Sequence, residues 1–64
     1  MLIYFTEANT KKSIAVNPKQ VISVFEASGG DFDGKTAIVF IGGNLAVEES
    51  VLDVVGTLNG ALTD

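Results

Sequence analysis

The sequence predicts a small α+β fold: an antiparallel β-meander of about five short strands, as a sheet or partial barrel, followed by one C-terminal helix. Two observations carry that prediction. Only the run Val47–Leu62 (VEESVLDVVGTLNGAL) has helical amphipathic spacing, and everything before it alternates short apolar segments with turn residues. A third observation sets the scale. Sixty-four residues make one domain, 1–64, of a size that buries only about 60% of the surface its unfolded chain exposes.

Leu2–Ala8 (LIYFTEA) is rich in β-branched and aromatic residues and is expected to be a strand. Asn9, Thr10, Lys11 and Lys12 suit a turn, and Ser13–Val16 resumes the apolar alternation, so the first two strands should form a hairpin. Asn17-Pro18 ends the second strand, because proline has no N–H for the ladder and restricts the residue before it. Val21–Ala27 is expected as a third strand, and Ser28–Lys35 (SGGDFDGK) is the most loop-like stretch, with Asp33-Gly34 as a tight-turn signal. Thr36–Ile41 follows as a fourth strand, Gly42-Gly43 as a turn, and Asn44–Val47 as a fifth strand feeding the helix.

On a helical wheel Val51, Val54, Val55, Leu58 and Leu62 share a face, with Ala61 and Leu52 on its flanks. Ser50 and Asp53 have capping-box spacing, and Glu48 and Glu49 are expected beside the positive end of the helix dipole. Asn59-Gly60 is expected to stop the helix, with Gly60 left-handed. Gly56 costs about 1 kcal/mol relative to alanine in mid-helix; it is either a notch for close approach of a second backbone or a tolerated glycine on a solvent face.

The strands are apolar on both faces. Leu2 and Tyr4 oppose Ile3 and Phe5; Val21 and Phe25 oppose Ile22 and Val24; Ala37, Val39 and Ile41 oppose Ile38 and Phe40. An antiparallel sheet with one solvated face should alternate apolar with polar residues. One helix cannot cover both faces, so either the sheet curls around its own core or a second subunit covers it. A hydrophobic content of 47% and a mean hydropathy of +0.40 favour the second subunit. So does the chain's lack of cysteine and histidine, which removes disulfides and thiolate or imidazole metal sites as staples. Tyr4, Phe25, Phe32, Phe40, Leu52 and Gly56 are the interface candidates; Phe32, between two acids in the glycine loop, is either displayed for recognition or folded over the sheet edge.

Composition also bounds function. A net charge of −4 and the absence of arginine argue against nucleic-acid binding. The longest apolar run, Ala37–Ile41, is far too short to enter a bilayer as a span, and the N-terminus turns basic only at Lys11, the reverse of a signal peptide, so a cytoplasmic location is expected. No histidine exists to activate a serine, and the acid pairs Asp31/Asp33 and Glu48/Glu49 suit turn and cap positions. Asp31-x-Asp33-Gly34 lacks the rest of a calcium loop, and Ile41–Asn44 lacks a phosphate loop's lysine. No catalytic residue, cofactor or metal site is expected, and the chain should not be an enzyme.

Asn17-Pro18, Val21-Ile22, Glu26, Ile38-Val39, Gly42-Gly43, and Val47 followed by Glu49-Ser50-Val51 and Val54 form a pattern over roughly 2–58 that resembles the FlbD family of small flagellar proteins. The resemblance implies a non-enzymatic cytoplasmic factor acting on motility; the chain is also similar to short bacteriophage and bacterial products. This chain departs from the pattern in its longer Ser28–Lys35 loop and glycine-punctuated tail. The leading expectation is a self-associating protein-interaction module that binds another, unidentified protein. A further alternative is an acidic phage-type inhibitor competing for a nucleic-acid-binding site on a host enzyme.

Overall fold

The computed structural model describes residues 1–63. The order of elements is β1 (Ile3–Thr6), β2 (Ser13–Val16), β3 (Val21–Glu26), β4 (Thr36–Phe40), β5 (Gly43–Val47) and α1 (Val51–Leu62), with single 3-10 turns at Pro18–Gln20 and Gly30–Phe32. The fold is α+β with five antiparallel strands, as the sequence predicts. They do not form the single meander sheet or partial barrel expected: the Asn17-capped Pro18–Gln20 turn separates β2 from β3, and the strands divide into two sheets, β1-β2 and β3-β4-β5. One isolated antiparallel bridge, Glu7 to Val47, joins them. It is flanked by Ala8 N–H donating to Ala46 C=O at 2.9 Å and Glu48 N–H donating to Thr6 C=O at 2.8 Å.

The local signals that hold are those in which a side chain satisfies the backbone beside it. Asn17 caps the Pro18–Gln20 turn, its side chain accepting from Lys19 N–H at 3.0 Å, and Pro18 is buried at the first position, where it has no N–H to orphan. Asp33 and Gly34 occupy the centre of a turn closed by Lys35 N–H on Phe32 C=O at 2.9 Å. Asp33 at φ −54, ψ 128 and Gly34 at φ 82 give it the type II form, which requires the positive φ that glycine supplies. Ser50 caps α1, its hydroxyl accepting from Asp53 N–H at 3.1 Å.

Several boundaries differ from expectation. Val47 ends β5, as the fifth-strand reading has it, and the helix begins only at Val51, four residues into the amphipathic run. The β4–β5 turn is Ile41-Gly42, with Gly42 at φ 98, while Gly43 pairs with Phe40 inside β5. Gly60 does not stop the helix: α1 continues to Leu62 and ends at Thr63 in the right-handed region, Thr63 N–H donating to Asn59 C=O at 3.2 Å. Ala61 packs against the core one residue beyond Gly60, and that contact rewards the extra turn.

The core is formed by Ile3 and Phe5 of β1, Val16 of β2, Ile38 of β4, Val47 of β5, and Val54 and Leu58 of α1. The helix packs against β1, β3 and the Pro18–Gln20 turn, so it spans the mouth between the two sheets. Ile38, Val47 and Val54 are fully enclosed. Within α1 the inward stripe is Val54 and Leu58, with Val51 and Ala61 partly buried; Val55 and Leu62, expected on that stripe, are exposed beside Leu52.

Strand β3 departs most from simple alternation. Between Val21 paired with Phe40 and Ser23 paired with Val39, β3 advances two residues while β4 advances one, so Ile22 is the extra residue of a β-bulge. The bulge turns Val21 and Val24 together onto the core and leaves Ile22 and Phe25 exposed. The expected grouping of Val21 with Phe25 is therefore wrong: a bulge shifts the period-2 rule by one residue at that point.

Candidate interaction surfaces

Thr36, Ile38 and Val47 point inward, so the pleat sends Ala37, Val39 and Ala46 to the outer face of the three-stranded sheet. Register places Phe25, Ala37 and Ala46 in one row across that face, and Ala8, bonded to Ala46 two residues past β1 and itself buried, closes the row at that end. Side chains directly opposite on neighbouring strands are the ones that touch. The neighbour of Phe25 in its row is an alanine, too short to cover the ring, which stays 51% exposed.

On the smaller sheet Tyr4 stands opposite Ala15 for the same reason and is 68% exposed. Leu52 projects from α1 at 85%, and Gly56 lies on the same open side of the helix. A Cβ added at Gly56 or Gly60 would meet nothing within 4 Å. Nothing inside the chain therefore requires glycine at either position. Phe32 closes the Gly30–Phe32 turn and is 38% exposed, between the two expectations for it. Phe40 is half-buried and faces inward, its ring against Gly43, so it is the least displayed of the six candidates. Sequence reasoning missed Ile22 and Ile41, each 67% exposed; the bulge and the shifted turn that expose them leave no local composition signal.

Beside the alanine row lies a polar cluster. Glu48 bridges two lysines, Lys11 and Lys35, each at 3.0 Å. Those contacts hold its carboxyl below the usual range, the hydrogen bond from Lys35 contributing most and that from Lys11 next. Glu49 takes Thr6 N–H on both carboxylate oxygens, at 2.9 and 3.0 Å, and the Thr6 hydroxyl at 3.1 Å. Its own C=O accepts the buried Thr36 hydroxyl at 2.6 Å. Both acids directly precede the Ser50 cap of α1, where the sequence places them, and they take a second role that the sequence does not show. They tie the β1–β2 hairpin to the β4–β5 hairpin.

An open apolar pocket of about 160 Å³ is lined by Ala15, Val16, Asn17, Gln20, Phe40 and Leu45. Among the described residues no group of three or more acidic, histidine or cysteine side chains is placed to hold a metal, and no helix is long and apolar enough to cross a membrane. No family model, curated protein or solved structure matches the chain.

Proposed function

We propose that this chain is a small, non-enzymatic protein-interaction module that self-associates and acts by binding another protein. The observation that carries the reading is the number of large apolar side chains left in water: Leu2, Tyr4, Ile22, Phe25, Ile41 and Leu52 are all more than half exposed. Singly exposed apolar residues are ordinary, whereas faces of them mark interaction surfaces. Here they lie on the outer sides of the sheets, at the β4–β5 turn and on α1, while the opposite face of α1 is committed to the core. The FlbD resemblance adds a bacterial or phage setting, with motility as one version of it.

Sedimentation velocity at micromolar concentration tests the self-association directly. The expected result is a particle of more than one protomer. A monodisperse species at the 6.7 kDa of one chain would sink it.

A further inference from the structure

The two outer strands of the folded chain are treated differently. Strand β3 is bulged at Ile22, which blunts an edge. Strand β2 is regular and uncharged, Ser-Ile-Ala-Val, and pairs only with β1.

The direction of its backbone groups follows from two sets of bonds. Glu7 N–H donates to Lys12 C=O at 2.8 Å, so that pair faces across the hairpin. Thr6, one residue before it, turns its N–H to Glu49 and its C=O to Glu48 N–H, away from β2. In an antiparallel ladder these orientations alternate. Phe5 with Ile14 and Ile3 with Val16 therefore face one another, whereas Ser13 and Ala15, opposite Thr6 and Tyr4, aim their N–H and C=O groups outward. Both residues are exposed.

Those four groups are arranged symmetrically about Ile14. From this the geometry points to a second copy of this chain as the occupant of the β2 edge, the two β2 strands pairing antiparallel about a two-fold axis at Ile14. In that register Ser13 and Ala15 of each copy exchange both bonds with Ala15 and Ser13 of the other, so every outward group on β2 is satisfied. The axis is perpendicular to the sheet, keeps outer faces on one side, and joins two hairpins into a β1-β2-β2-β1 sheet. Half-buried Ile14 meets its own copy on the inner side.

Charge agrees with this occupant. The chain carries −4, yet the edge holds no acid, and its flanking charge is Lys12. Lys12 of one copy lies opposite Val16 of the other, beside the pocket that Val16 lines, where its aliphatic stem covers apolar surface. The two Lys12 side chains then sit roughly 13 Å apart along the strands, beyond the screening length of about 8 Å at physiological salt.

The inference rests on the self-association proposed above, and its test separates the two. Ala15→Pro removes an outward N–H without touching the β1–β2 ladder, a position where an edge strand tolerates proline. It should keep the circular dichroism spectrum and weaken dimerisation roughly 25-fold, for two lost hydrogen bonds at about fivefold each. Independently of that variant's folding, Ile14→Cys should cross-link to a covalent dimer under oxidation. Axial residues of a non-hydrogen-bonded pair stand about 4.5 Å apart, within disulfide reach. Ser13→Cys, about 8 Å or more from its copy in this register, should not. If the wild type self-associates but Ile14→Cys does not cross-link, or a folded Ala15→Pro dimerises unchanged, the edge is overturned and self-association stands. A monomeric wild type overturns both.

Discussion

The β1–β2 hairpin meets the rest of the molecule along two seams of opposite chemistry. On one, Ile3 and Phe5 pack with Ile38, Val54 and Leu58 in a dry cluster. On the other, Thr6, Glu7 and Ala8 meet the end of β5 and Glu48 through two backbone hydrogen bonds that frame the Glu7–Val47 bridge, and Glu48 and Glu49 lock that junction with carboxylates. The apolar seam is non-directional and scales with area removed from water. The polar seam is directional and partly solvated, so it contributes less energy per contact but decides where the hairpin points. A chain this small has little area to spend. It uses the first seam to stay folded and the second to set the angle between its two sheets.

Truncating the apolar seam should cost most. Leu58 is 7% exposed and packs across the mouth of the two sheets, so Leu58→Ala should destabilise the chain by about 2–4 kcal/mol through lost transfer energy and the cavity left behind. Urea unfolding followed by circular dichroism measures it. A loss of only about 0.5 kcal/mol, the scale of an ordinary surface change, would mean that α1 is not what closes the core.

The polar seam comes next. Removing the carboxylate in Glu49→Ala leaves Thr6 N–H without its acceptor and should cost about 1–2 kcal/mol, within the range for hydrogen bonds to charged groups after allowance for partial exposure. Its distinguishing sign is in where the loss appears. Amide exchange should rise at Thr6, Ala8 and Glu48, along the junction, while Ile38 and Val54 keep their protection. Uniformly raised exchange would make the two seams one cooperative unit, contrary to the division drawn here.

The two seams also differ in how far they were legible. Ser50, Asn17-Pro18 and Asp33-Gly34 were readable because each satisfies or orients backbone within a few residues. The core side of α1 was half readable. Periodicity finds the apolar arc of Val51, Val54, Val55, Leu58 and Leu62, but where burial stops along that arc depends on β1 and β3, and Val55 and Leu62 fall outside it. The role of Glu49 was not legible, because its partner Thr6 lies 43 positions away and a carboxylate before a helix already has a sufficient local explanation. The bulge at Ile22 is a similar case. Val-Ile-Ser-Val-Phe-Glu contains no glycine to mark it, and only pairing with β4 shows the extra residue. Of the surface candidates, Tyr4 and Leu52 are consistent with alternation or helical spacing, while the exposure of Phe25, Ile22 and Ile41 depends on the bulge and the tertiary register.

The smallest effect belongs to Glu48, and it divides the polar seam itself. Unlike Glu49, it grips charged side chains, Lys11 and Lys35, whose outer atoms stay in water at 62% and 36% exposure. Exposed pairs of this kind contribute little at neutral pH and less as salt is added. Their signature is in acid. Lys35 and then Lys11 hold the Glu48 carboxyl below its ordinary value of 4.5 in the folded chain, so the unfolded chain takes up the proton first. The contribution of Glu48 is therefore complete above about pH 4.5 and is lost as pH falls through the lowered folded value. Glu48→Gln should change stability little at pH 7 and flatten its decline below pH 4.5 relative to the unaltered chain. An unchanged acid slope, with the loss at pH 7 as large as for Glu49→Ala, would reverse the ranking. It would make the lysine bridge, not the Thr6 clamp, the contact that orients the hairpin.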